Sequence, residues 1–220
     1  MKIIFTVLTL LISFSAKALI IGGSSITEDN KGQFIELSTP FTESNPNNTV
    51  GQNNFNNANL YAFNEDQNII LPGQITVDIL ADGTPGFLNT NTVVASHYVF
   101  FDPKNAKRQT GFVDFDAPIL AILIQTFTLS ATDFLMNNNV NYLSPTLRGL
   151  ESGDIVGIDD NLDYRLNIDW FAGTPGDYIR VLTAQSPDAG DPRPPEGIPE
   201  PTTLLLLSLG LIALRLRSKA

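Results

Sequence analysis

The chain has no cysteine, one histidine and one tryptophan in 220 residues. Without cysteine there is no disulfide scaffold, no zinc ribbon and no thiol nucleophile. A lone histidine, His97, cannot build a multi-histidine metal centre within one chain. Helical periodicity is scarce as well. The middle of the chain lacks the Ala/Glu/Lys/Leu spacing of amphipathic helices, while 16 Gly and 14 Pro punctuate it, which points to an all-β domain. Basic residues are few. Residues 19–198 hold 8 Lys and Arg against 22 Asp and Glu, a net −14 within a chain of −10. That field repels a phosphate backbone and excludes nucleic acid as a natural partner. Divalent cations, and surfaces carrying them, are the better counter-charges. Long hydrophobic runs occur only at the two ends.

The first end reads MKIIFTVLTLLISFSAKA. Lys2 supplies a positive start, Ile3 to Ser15 an apolar run, and Ala16 and Ala18 the small residues at −3 and −1 of a cleavage site. The run is shorter than the roughly 20 residues of a spanning helix. Residues 1–18 are therefore expected to form a signal helix, removed by signal peptidase so that the exported chain starts at Leu19.

The other end reads GIPEPTTLLLLSLGLIALRLRSKA. As a helix, Thr202 to Leu214 would rise about 20 Å at about 1.5 Å per residue. A bilayer's hydrocarbon core is about 30 Å thick, so the segment is short for a permanent span. Arg215, Arg217 and Lys219 place the tail in the cytoplasm and the body outside. Ahead of it, residues 186–198 form a Pro-rich, semi-rigid spacer that cannot pack a core.

Three parts in order, Pro199-Glu200-Pro201, the Leu-rich run Leu204 to Leu214 and the basic end Arg215 to Lys219, resemble the PEP-CTERM sorting signal of Gram-negative bacteria. The resemblance covers only residues 199–220. It implies a temporary membrane anchor that an exosortase recognises and cleaves, and a destination at the cell surface or in an exopolysaccharide or biofilm matrix.

The body, residues 19–185, is expected to be one antiparallel β-sandwich, jelly-roll-like, flanked by the signal helix and the C-terminal hydrophobic helix. Residues 45–59 (NPNNTVGQNNFNNAN) read as a long Asn-rich loop, since Asn favours turns and left-handed positions. About eight strands are predicted. Gln74 to Leu80, Thr92 to Phe101, Gly111 to Asp116, Tyr164 to Trp170 and Asp177 to Thr183 carry strand patterning, and Ala117 to Ile124 reads as a central strand apolar on both faces. A short helix is predicted over Ala131 to Met136 with Ser130 as its cap. Two Thr-Pro-Gly stretches, at residues 84–86 and 174–176, suggest type II turns.

Candidate chemistry is sparse. His97 has no G-x-S-x-G elbow to serve, so a hydrolase triad competes with a structural role in a strand. Asp159, Asn161 and Asp163 alternate as at the start of a calcium loop, since hard cations want converging oxygens. Tyr164 then stands where that loop needs Gly, and Trp170 where it needs Glu. A different calcium site and a solvated acidic turn both remain open. Trp170 and Tyr178 flank the second Thr-Pro-Gly turn and could stack on sugar rings, although Trp170 shares the phase of Leu166 and Ile168 on one strand face. The expected function is a non-enzymatic structural or carbohydrate-binding module of the matrix. The alternative is a secreted hydrolase acting on matrix polysaccharide.

Overall fold

A computed structural model describes residues 19–37 and 48–185. The expected signal helix with Ala16 and Ala18, the spacer, and the tail with Pro199, Glu200, Pro201, Arg215 and Arg217 lie outside the described residues. So do the first three residues of the Asn-rich loop. The described residues are 46% strand and 8% helix, so the body is mostly β. Among them no helix is long and apolar enough to cross a membrane.

The described residues form fifteen strands. The first six are β1 (Ile20–Thr27), β2 (Phe34–Glu36), β3 (Thr49–Val50), β4 (Leu60–Asn64), β5 (Ile69–Ile70) and β6 (Ile75–Val77). Then come β7 (Ile79–Leu80), β8 (Gly86–Leu88), β9 (Val93–Phe101), β10 (Lys107–Phe115) and β11 (Ile119–Leu123). A short helix, α1 (Thr126–Ala131), and 3₁₀ turns at Asp133–Leu135 and Pro145–Leu147 surround β12 (Asn141–Tyr142). The described chain closes with β13 (Ile155–Ile158), β14 (Arg165–Ala172) and β15 (Asp177–Thr183).

β12 with β3 and β6 with β8 form two small two-stranded sheets. Of the two larger sheets, one runs β1, β10, β14, β13 and the other β2, β4, β9, β15, β11, β7, with β5 added beside β9. The two share one apolar core. Val113, Phe115, Leu166, Ile168 and Trp170 from the first meet Leu60, Val99, Phe101, Ile122, Ile179 and Val181 from the second. Fully burying an aliphatic or aromatic side chain of this size is worth about 1.5–3 kcal/mol. The larger sheet is covered on its other face too. Tyr98, Phe100 and Tyr178 pack there with Tyr61 and Phe63, under the loop that carries Phe55. That double cover is why β9 is buried from Val94 to Phe101 and β15 along its whole length.

Several sequence expectations are corrected. Pairing is not uniformly antiparallel: β2–β4 and β3–β12 are parallel. Ala117 to Ile124 does yield an interior strand buried on both faces, β11, between β15 and the short edge strand β7, although the middle of the sheet is β9 and β15. The helix starts five residues earlier than predicted, and Ser130 lies inside it. The residues leading into it are held from afar. Asp78 Oδ2 accepts from the backbone N–H of Ile124 (2.7 Å) and Gln125 (3.0 Å) and from the Thr128 hydroxyl. The first Thr-Pro-Gly stretch is not a type II turn, since Gly86 has no positive φ and opens β8. In the second, Gly176 has the positive φ (91°) such a turn needs, and Thr174–Pro175 is a cis peptide.

The Asn-rich stretch is not loop throughout: Thr49–Val50 form the buried strand β3, paired with β12, because Val50 packs into the aromatic cluster, while the asparagines on either side take the turns. Asn48, Asn53 and Asn56 all have positive φ. Buried Asp102 fixes the loop by accepting from the N–H of Asn53 (3.2 Å) and Phe55 (2.8 Å). Phe55 is thereby laid on Tyr61 and Phe100, with ring centroids 4.4 and 4.9 Å apart.

Candidate functional site

The chain leaves β4 through Asn64, Glu65, Asp66 and Gln67, held against Ser96 by backbone bonds from Glu65 N and to Asp66 O. This segment, with Glu36 of β2 and the Asn137–Asn139 turn, walls a cleft of about 470 Å³ with Leu19 at its edge. The cleft is rich in amides and carboxylates.

Beneath it lies a closed polar network. Arg180 and Glu65 are fully buried as side chains and pair through two bonds, Nε to Oε2 (2.6 Å) and Nη2 to Oε1 (2.9 Å). Ser96 donates to Oε2 (2.6 Å) and Tyr142 to Oε1 (2.8 Å), so each Glu65 oxygen accepts two hydrogen bonds. Arg180 Nη1 donates to the Leu129 carbonyl (3.0 Å) and the Thr132 hydroxyl (2.7 Å). Burial pulls the Arg180 guanidinium down, but the Glu65 charge and hydrogen bonds outweigh it, so Arg180 stays protonated. Burial and then the Glu65 charge push the Tyr142 phenol far up, which keeps it a donor. With its lone pairs filled and its charge matched, Glu65 is a fixed floor rather than a base.

The walls are less committed. Asn137 Oδ1 accepts from Asn139 N (2.9 Å), and Asp66 Oδ1 from Gln67 N (2.9 Å). Asn138 and Asn139 are exposed at the rim. Glu36 is exposed at the end of β2, and partial burial of its carboxyl raises it above its ordinary value. Gln67 Oε1 is buried without a hydrogen-bond partner. Donors and acceptors thus face one concave surface, as recognition of hydroxyl groups requires.

His97 belongs to the interior. It is fully buried, with Nδ1 2.7 Å from Asn64 Oδ1 and Nε2 3.0 Å from Thr183 Oγ1. Its ring lies 4.7 Å from that of Phe115. Burial lowers its pKa to about 3, so the imidazole is neutral at physiological pH. The partners of its two ring nitrogens are thus Asn64 and Thr183, neither of them a serine.

Asp159, Asn161 and Asp163 fall in the β13–β14 turn. Asp159 Oδ1 accepts from Asn161 N and Oδ2 from Asn167 Nδ2, both at 3.0 Å. Those two bonds, Asn167's first, lower its pKa. The turn borders a second cleft, of about 650 Å³, whose other side carries Asp82 and Gly83. Among the described residues no group of three or more His, Asp or Glu side chains is arranged to hold a metal ion.

Trp170 and Tyr178 are core residues, each 1% exposed, and the expected stacking faces are taken. Trp170 lies parallel to Phe101 and donates to Gln109 Oε1 (3.0 Å). Tyr178 stacks on Tyr98 and Phe100 and donates to the Pro175 carbonyl (2.8 Å). Neither offers a face to a sugar.

One notable group escapes sequence reasoning. Asp177 is 2% exposed, and its Oδ2 is buried without a hydrogen-bond partner. Burial, with repulsion from Asp154 and Glu151, raises its pKa to about 8. No motif marks it, since it is simply the first residue of a strand.

Residues 197–219 match the PEP-CTERM protein-sorting motif. No curated protein and no solved structure matches the chain. The tail therefore carries an exosortase sorting signal, and the protein is exported.

Proposed function

We propose that the exported body is a carbohydrate-binding or structural module of an extracellular polysaccharide matrix, a two-sheet sandwich that takes a hydroxyl-rich chain in the cleft of Glu36, Asp66, Asn138 and Asn139. Signal peptidase frees it at Leu19, and exosortase acts at Pro199-Glu200-Pro201 after membrane insertion, releasing it to the surface. The observation that carries this reading is the cleft itself: rim amides and carboxylates stand over the rigid Arg180–Glu65 floor. Amides both donate and accept, as sugar hydroxyls require. The net −14 of residues 19–198 favours a neutral polysaccharide over a polyanion.

The second reading is a hydrolase of matrix polysaccharide. It draws on Glu36, an exposed residue whose carboxyl is raised by partial burial, in the same cleft as Asp66. A raised carboxylic acid beside a second carboxylate is the acid–base pattern of glycoside hydrolysis. A glycan array and a hydrolysis screen on the purified exported protein separate the two. Retention of neutral glycans without cleavage, lost in Asn138→Ala/Asn139→Ala, supports the binding module. Release of reducing ends, lost in Glu36→Gln, supports the hydrolase.

A further inference from the structure

Leu19 and Asp116 hold each other by two reciprocal bonds. Leu19 N donates to Asp116 Oδ1 (2.9 Å), and Asp116 N donates to the Leu19 carbonyl (3.0 Å). Leu19 is 44% exposed, whereas the next residue, Ile20, is 4% exposed and belongs to the shared core. Ile20 pairs with Phe115, next to Asp116, at the end of the β1–β10 ladder. The carboxylate therefore sits against the backbone nitrogen of the residue that follows Ala18, the residue marked as the signal-cleavage position.

Hydrolysis of the Ala18–Leu19 bond changes that nitrogen. Water adds hydroxyl to the Ala18 carbonyl carbon and a proton to the departing Leu19 nitrogen. Ala18 leaves as a carboxylate, and the Leu19 amine takes up a further proton at neutral pH. A neutral amide with one N–H becomes an ammonium with three, already within hydrogen-bond distance of Asp116. We infer that Asp116 is a built acceptor for the mature α-amino terminus, so that export processing converts an internal hydrogen bond into a terminal ion pair that locks the start of β1. Charge-assisted bonds of this kind are roughly twice as strong as neutral ones. Leu19 also borders the amide- and carboxylate-walled cleft, so the ammonium adds a positive charge near Glu36 and Asp66, while Glu65 is matched by Arg180.

The inference rests on cleavage after Ala18, which can be read apart from the pairing. Exported protein is labelled briefly with an amine-reactive ester at neutral pH, digested and weighed. The mass of the N-terminal peptide gives the cut site, and its labelled fraction gives the availability of the α-amine. Asp116→Asn keeps an acceptor oxygen but removes the charge. The N-terminus is expected at Leu19, labelling several-fold faster in Asp116→Asn than in the natural protein, because an ion-paired ammonium holds its proton longer. Labelling of denatured samples is expected to be equal, which excludes a difference in reagent or digestion. Equal labelling in the folded state overturns the inference, and so does an N-terminus at any other residue. Melting of the two proteins is compared alongside. A loss of only about 1–4 °C in Asp116→Asn is expected for one exposed pair in a chain of this size.

Discussion

Arg180 and Glu65 meet 115 residues apart in sequence, as a two-bond ion pair with no exposed side-chain surface. Removing one member of such a pair strands the other charge in a low-dielectric interior. Glu65→Gln is expected to lower unfolding free energy by about 3–5 kcal/mol in a urea titration. Adding Arg180→Met to Glu65→Gln removes the stranded charge, while the Gln oxygen still accepts from Ser96 or Tyr142 and its amide NH2 can donate to the other hydroxyl oxygen. The double variant is expected to be more stable than Glu65→Gln alone. Losses that simply add would show that the two residues do not act as a pair.

Asp177 and His97 give stability a defined pH profile. The folded-state pKa of Asp177, about 8, lies above its ordinary 3.8, so the native state binds the extra proton between those values. Its contribution is full below about pH 4 and is lost as pH rises through 8, by about 1.4 kcal/mol per pH unit. His97 has the opposite sign. Its pKa, lowered from 6.5 to about 3, gives stability that is full above 6.5 and lost as pH falls towards 3. The two slopes oppose each other between about 4 and 6.5, leaving a decline with rising pH from 6.5 to 8. Denaturant midpoints across this range are expected to show that decline, and Asp177→Asn to abolish it. A natural protein that grows more stable from pH 6.5 to 8 would contradict this assignment.

Calcium is expected to leave the melting temperature within about a degree at millimolar concentration, since only a ligand held by the folded state adds stability. Both Asp159 oxygens already accept bonds within their own turn. A rise of several degrees, lost in Asp159→Asn, would show instead that Asp82, Asp159, Asp160 and Asp163 close around the ion in the second cleft.

The sequence revealed what period and composition encode. The alternation from Leu166 to Trp170 is a real core face, and the Asn-rich stretch does take left-handed turns. It hid what depends on distant partners. The helix start has no side-chain cap, and Asp78, 46 residues before Ile124, holds the residues leading into it. β1 was missed because its centre, Gly-Gly-Ser-Ser, has the composition of a linker. Gly23 is needed there, since a Cβ would lie 2.6 Å from the Phe34 ring. Tyr178 resembled a surface aromatic because it follows a turn, yet Tyr98 and Phe100 lie against it from the neighbouring strand. The cleft was invisible for the same reason, since Glu36, Asp66 and Asn138 converge only through the fold.

At the tail, deleting Arg215, Arg217 and Lys219 is expected to weaken membrane retention before processing, because the basic end fixes the tail in the cytoplasm. Fractionation of pulse-labelled cells is expected to show less full-length precursor in the membrane than in the natural strain.

The most direct measurement changes Pro199, Glu200 and Pro201 together to alanine in the native host, followed by fractionation and blotting for the body. The apolar run is untouched, so insertion is expected to proceed while exosortase processing stops. Full-length protein then accumulates in the inner membrane and the surface fraction is lost. Release of the triple-alanine variant to the surface at the natural level would contradict sorting by this tail and leave it a plain anchor.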